Sequence, residues 1–264
     1  MRRIFAVGCS LTRYHWPTWA DILAKEFDSF ENWGQPGIGN RAIVERLTEL
    51  VVHRNLTVDD VILVQWSDPH RFDAHVPHRF PLDGWTTGGS IHNNPEYTPE
   101  WIENYWNETS YVMHTLNFIK LGISLLDSQP AKWYMTSMND LIDDIDRCII
   151  YDRYRNMFDR NEWIPPIKPV FDQSNYQKKP FKKPIRKHDK IEWYADVIDP
   201  HPTPLFYYEY VNNYLTDRLQ VTIDYEWAKK ADDLLSTVIT HEEIKEMYIR
   251  ELGWNNQLSW IRGL

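Results

Sequence analysis

The sequence predicts an α/β protein in three layers, with a central parallel sheet, two irregular insertions and a helical extension at the carboxyl end. Three observations predict it. Apolar runs occur at residues 4–7, around 27–33, at 61–65 and at 132–136, and strands buried on both faces read as such continuous runs. Helical patterns lie between the runs, and alternating strands and helices call for a parallel sheet covered on both faces. Finally, glycine-rich or polar segments follow the first three runs, at the strand ends where open α/β sheets bind ligands.

Each element has its own signal. After the first strand, Pro17 suits the first turn of a helix whose apolar face is Trp19, Ile22, Leu23 and Phe27. The second strand leads into a segment with three glycines and then a helix marked by Ile43, Leu47, Leu50 and Val51. Residues 69–99, rich in His, Pro, Gly and Asn, read as the first insertion. One long helix is expected from about residue 100 to 126, carrying Trp101, Tyr105, Val112, Leu116, Ile119 and Ile123. Asp143, Asp144 and Asp146 suit the start of a helix, where carboxylates meet the positive end of the dipole. Residues 163–190 contain Pro165, Pro166, Pro169, Pro180 and Pro184 and read as the second irregular insertion. The main domain is expected over residues 1–220 and the helical extension over 221–264, where Ile244, Met247, Tyr248 and Leu252 have helical spacing.

Composition narrows the function classes. The 264 residues carry a net charge of −9, which argues against a general nucleic-acid binder. Residues 178–190 hold seven basic side chains and one acid, read as a solvated loop. The 13 Trp and 15 Tyr are read as core and loop cover before any carbohydrate surface. Two cysteines, Cys9 and Cys148, imply no disulfide framework and suit a reducing compartment. The apolar run after Arg2 and Arg3 stops at Gly8, too short for a signal peptide, and no stretch reaches transmembrane length. A cytoplasmic protein is therefore expected, with no membrane contact. A lipid-modified cysteine at Val7-Gly8-Cys9 is set aside on the same grounds.

Ser10, after the first strand, is the candidate nucleophile, and a serine needs a base to take its proton. Asp199-Pro200-His201-Pro202 supplies one: each proline extends the residue before it, so Asp199 and His201 point to the same side. Asp199 can then fix the imidazole tautomer while the other ring nitrogen faces the serine. The segment from Asn32 to Asn40 offers backbone N–H groups to a ligand, Gly37 among them, with Asn40 placed to cap the next helix. Ser67, in Gln65-Trp66-Ser67-Asp68, is a further donor to a developing oxyanion. Cys9 is not expected to attack, because successive residues leaving a strand point opposite ways. His70, His75 and His78 with Asp68 and Asp73 match no metal-ligand spacing, so neither metal nor cofactor is expected.

These segments resemble the SGNH (GDSL-like) hydrolase superfamily. Gly8-Cys9-Ser10-Leu11-Thr12 is similar to its first block, Gly-Asp-Ser-Leu, with cysteine in place of the aspartate. The Asn32 to Asn40 stretch resembles the second block and puts Gly37 at its oxyanion glycine. Gln65-Trp66-Ser67-Asp68 falls where the third has Gly-x-Asn-Asp, so Ser67 replaces the oxyanion asparagine. Asp199-Pro200-His201-Pro202 resembles Asp-x-x-His-Pro with one residue fewer, which makes Asp196 the reserve acid. The likeness spans about residues 3–70 and 195–218, and its flavour is closest to phage-encoded members. It implies an SGNH or flavodoxin-like three-layer fold and a serine esterase. The triad would be Ser10, His201 and Asp199, with Gly37, Ser67 and Asn40 around the oxyanion. A small-molecule or glycan ester would be the substrate, with an acyl group on a carbohydrate as the leading expectation. Two alternatives stand beside it: a non-catalytic binding or structural protein of virion or surface, and an O-acyltransferase with the same triad. The extension is the expected place for a protein partner.

Overall fold

Four parallel strands form the central sheet in the order β2–β1–β3–β4: β1 (Arg3–Val7), β2 (Ser29–Asn32), β3 (Val61–Trp66) and β4 (Lys132–Ser137). The computed structural model describes residues 1–73, 89–93, 97–147, 154–187, 190–238 and 240–254. Val7 pairs with Val64, and Val64 with Met135, so β1, β3 and β4 end close together at the carboxyl edge. All of β3 is buried, as are residues 4–7 of β1, which is why both read as unbroken apolar runs.

Helices cover both faces and make the three-layer α/β/α arrangement. On one face α2 (Asn40–His53) packs against α4 (Glu108–Asp127), and on the other α1 (Trp19–Ala24) packs against α7 (Pro204–Tyr214). Gly122 of α4 permits close approach, since a Cβ there would lie 2.9 Å from the Trp66 ring. No helix among the described residues is long and apolar enough to cross a membrane.

Several local expectations change. The first helix is capped by Thr18, in a reciprocal box with Asp21, and it ends at Ala24, so Phe27 lies beyond it. The expected long helix is two: α3 (Pro99–Tyr105) stops, and Asn107 caps α4 by accepting the Ser110 N–H at 3.0 Å. Asn40 does not cap α2; it is the first helical residue after Gly39. The cap comes from Asp73, whose carboxylate accepts the N–H groups of Gly39 (2.6 Å) and Ala42 (3.0 Å). The helix expected at the aspartates is α5 (Leu141–Arg147), with Asp143 and Asp144 in its first turn.

Among its described residues the second insertion is regular structure rather than irregular. It contains α6 (Ile167–Asp172) and a hairpin of β5 (Lys179–Lys187) and β6 (Lys190–Asp199). Pro169 sits in the first turn of α6, where a missing N–H costs no helix bond, and each strand of a two-stranded hairpin has an open edge that tolerates Pro180 and Pro184. After the short α8 (Thr216–Leu219), the carboxyl end folds into α9 (Tyr225–Thr237) and α10 (His241–Leu252). Their apolar faces join Trp16 and Phe181 in a second core that includes Leu235, Ile244, Tyr248 and Trp254.

Candidate active site

The turn after β1 holds Ser10 in place. Only glycine fits at position 8, because a Cβ there would lie 2.2 Å from Thr12 Oγ1 and 2.9 Å from Gln65 Cβ. The Cys9 carbonyl accepts the Thr12 and Arg13 N–H groups at 3.0 and 3.1 Å and closes the turn. Gln65 Oε1 accepts from Cys9 N–H, Cys9 Sγ and Thr12 Oγ1, each at 3.2 Å. Cys9 is fully buried in this network, whereas Ser10 keeps 7% of its surface exposed.

From the far side of the chain, β6 delivers Asp199 and the turn beyond it delivers His201. Asp199 Oδ1 accepts the His201 backbone N–H at 2.9 Å and lies 2.7 Å from ring Nδ1. His201 Nε2 lies 2.8 Å from Ser10 Oγ. With the Nδ1 proton held by the carboxylate, Nε2 is free to accept the serine proton. Burial pushes the His201 pKa below the ordinary 6.5, against the opposing pull of Asp199. The ring is therefore neutral at neutral pH, the state a base requires.

Two aromatic residues complete the setting. Tyr14 stacks on the His201 ring (centroids 3.7 Å apart, 18° between planes) and donates its hydroxyl to Asp199 Oδ2 at 2.6 Å. Burial first, and then the Asp199 charge, push the Tyr14 pKa far above its ordinary 10, so it remains a donor. Trp16 Nε1–H donates to the Pro202 carbonyl at 2.8 Å and fixes the end of the histidine turn. Tyr14 belongs to no motif, and the sequence reading passes over it; its role depends on a partner 185 residues away.

Of the other candidates, Gly37 has φ +83°, a conformation that calls for glycine, and its N–H and that of Ser10 have no partner among the described residues. Ser67 Oγ is buried without a hydrogen-bond partner. Asn40 is occupied elsewhere: its side chain accepts the Ser67 N–H at 2.7 Å and donates to Ser67 O and Thr115 Oγ1, both at 3.0 Å. It holds the Ser67 backbone rather than a ligand. Asp196 is exposed and paired with Lys182, away from the dyad.

No cluster of three or more metal-ligating side chains occurs among the described residues, and His75 and His78 lie outside them. Asp68 and His70 instead repeat the local geometry of Asp199 and His201. Asp68 Oδ1 accepts the His70 N–H at 2.7 Å and meets Nδ1 at 2.8 Å, while Oδ2 accepts from Asn139 at 2.5 Å. The tripeptide Asp-Pro-His occurs at both places, a signal legible in the sequence that the reading did not use. The hydrogen bond to Asp68 raises the His70 pKa, and that bond together with the His70 N–H lowers Asp68 to about 2 against its burial. A cavity of about 460 Å³ lined by Lys132, Trp133, Glu162 and Arg218 opens at the amino end of β4, the opposite end from these residues.

No known protein family matches the chain in sequence, and no curated protein does. Among solved structures, the chain is similar to a member of the lipolytic G-D-S-L family from Veillonella parvula DSM 2008. That likeness has 13% identity and a TM-score of 0.44, over 82% of this chain and 99% of that one. It is also similar to the YxiM protein of Bacillus subtilis, at 13% identity and a TM-score of 0.29, over 52% of this chain and 32% of that one. Likeness at this level is silent on chemistry, and the site stands on its own geometry.

Proposed function

We propose that the protein is a serine-dependent ester hydrolase. The observation that carries this reading is the continuous line of contacts Asp199–His201–Ser10, with 2.7 Å and 2.8 Å separations and a base whose pKa is lowered by burial. Ser10 Oγ attacks the ester carbonyl carbon while His201 Nε2 takes its proton; the same proton then passes to the departing alkoxide. Water repeats the sequence on the acyl-enzyme and restores Ser10. The Ser10 and Gly37 N–H groups, with Ser67 Oγ, are the donors to the oxyanion. The substrate is an acyl ester of a small-molecule or glycan alcohol.

Ser67 favours a second reading, a protein that keeps the fold without the reaction. A serine hydroxyl reaches less far than an asparagine amide, and loss of one oxyanion donor costs on the order of 10²–10³ in rate. Labelling with a fluorophosphonate probe separates the two. Wild type is expected to label, and Ser10→Ala and His201→Ala to abolish labelling. A folded wild type that stays unlabelled moves the reading to a binding or structural protein.

A further inference from the structure

Two cations beside the candidate site lack the partners that half-buried charges ordinarily have. Arg71 leaves the end of β3 and is only partly exposed; Lys168, in the first turn of α6, is likewise partly exposed. Neither has a carboxylate within ion-pair distance among the described residues. Arg71 donates Nη1–H to the Ile38 carbonyl at 2.8 Å, and its Nη2 meets only Met138 Sδ at 3.8 Å. Its Nε is buried without any hydrogen-bond partner. Taking a charge out of water without pairing it is costly, so this arrangement is stable where something else supplies the counter-charge.

The nearby carboxylates do not supply it. Asp73 spends its oxygens on Gly39 and Ala42, and Asp68 spends its own on His70 and Asn139. Both feel the Arg71 charge, yet neither turns to meet it. The two residues meet at Met138: the Lys168 backbone N–H donates to the Met138 carbonyl at 3.0 Å, and Arg71 Nη2 lies 3.8 Å from Met138 Sδ. Ile38, which anchors Arg71, directly follows Gly37, the candidate oxyanion glycine. Both charges also reach the His201 ring and disfavour its protonation.

We propose that Arg71 and Lys168 form an anion subsite beside Ser10, and that the substrate ester carries a carboxylate or phosphate group close to its scissile bond. The guanidinium fork matches the two oxygens of such a group, and the ammonium adds a point charge. This deepens the esterase reading and rests on it for the word substrate.

The test compares three acetyl esters: neutral methyl 4-acetoxybenzoate, 4-acetoxybenzoate and 4-acetoxyphenyl phosphate. Wild type is expected to favour at least one anionic ester over the neutral one in kcat/KM by on the order of tenfold or more. The better of the two anions identifies the charged group. Arg71→Gln and Lys168→Met are each expected to remove most of that preference through KM. Lys168→Met tests the idea even where Arg71→Gln loosens the Ile38 loop, because the Lys168 side chain makes no hydrogen bond or ion pair among the described residues. Equal turnover of all three esters by a labelled wild type, or a preference that survives both substitutions, overturns the subsite and leaves the esterase intact. Where no ester is hydrolysed, binding of 4-hydroxybenzoate and phenyl phosphate by calorimetry decides. Arg71-dependent binding keeps the subsite while the esterase reading falls; its absence overturns the subsite as well.

Discussion

Asp199 divides its two oxygens between two partners, and that division is the least replaceable detail of the site. Oδ1 holds the His201 ring and backbone, and Oδ2 takes the Tyr14 hydroxyl. A carboxylate tied on one oxygen only could rotate and carry the imidazole with it. Tyr14→Phe keeps the ring stacked on His201 and removes only the donor. Its expected effect is a fall in kcat of roughly tenfold, the worth of one hydrogen bond to a charged group, with KM nearly unchanged. The pH profile supplies a readout that a packing role would not move. In the proposed reaction His201 acts as the neutral base, and burial lowers its pKa, so the acid limb of wild-type kcat/KM should have its midpoint below 6.5. Without the Tyr14 donor the Asp199 charge is less satisfied and holds the imidazolium more strongly, so the limb should move to higher pH. An unchanged limb and an unchanged kcat in Tyr14→Phe would show that the second oxygen is idle.

Elements were legible where their cause is local. Strands β1 and β3 were, because burial on both faces forces apolar residues at almost every position, and so was the serine turn, because Gly8 has no room for a side chain. The Asp199-Pro200-His201-Pro202 segment was legible because two prolines dictate its backbone. Causes that lie far along the chain were not. The break between α3 and α4 follows from Asn107 capping a new helix inside an apolar periodicity that drifts but does not stop. The hairpin was missed because its prolines argue against strands, and only the pairing of β5 with β6 shows that open edges receive them. The α2 helix begins at a glycine that offers no side chain, and its cap arrives from Asp73, 34 residues beyond Gly39. Asp73→Ala should therefore cost about 1–2 kcal/mol, or roughly 2–8 °C in Tm for a domain of this size. A calorimetric scan that finds no change would mean that water caps α2 equally well.

At the scale of the whole molecule, two cores meet at the residues that carry His201. The larger core is the sheet with its covering helices, and the smaller joins the last two helices to Trp16 and Phe181. Trp16 is the hinge between them: it packs edge-on against Tyr14 (4.5 Å, 87°) and donates to the Pro202 carbonyl. Trp254 ties the end of the same layer to Asp21 at 3.1 Å, across 233 residues of chain. The carboxyl-terminal helices therefore brace the histidine turn, and stability in this layer should translate into chemistry. Tyr248 tests the link, since it is fully buried, its hydroxyl donates to the Ala231 carbonyl at 2.8 Å, and among the described residues no hydrogen bond or ring contact joins it to Ser10, Asp199 or His201. Tyr248→Ala should cost about 3–5 kcal/mol by leaving a cavity. At the temperature where it is still folded, its rate of fluorophosphonate labelling should fall by on the order of tenfold, because Trp16, and with it Tyr14 and the Pro202 carbonyl, is free to shift. Tyr248→Phe, which keeps the volume and loses one hydrogen bond, should label at close to the wild-type rate. Were Tyr248→Ala to lose its stability yet label as fast as wild type, the last two helices would be a cover for the sheet domain and no part of what holds His201 against Ser10.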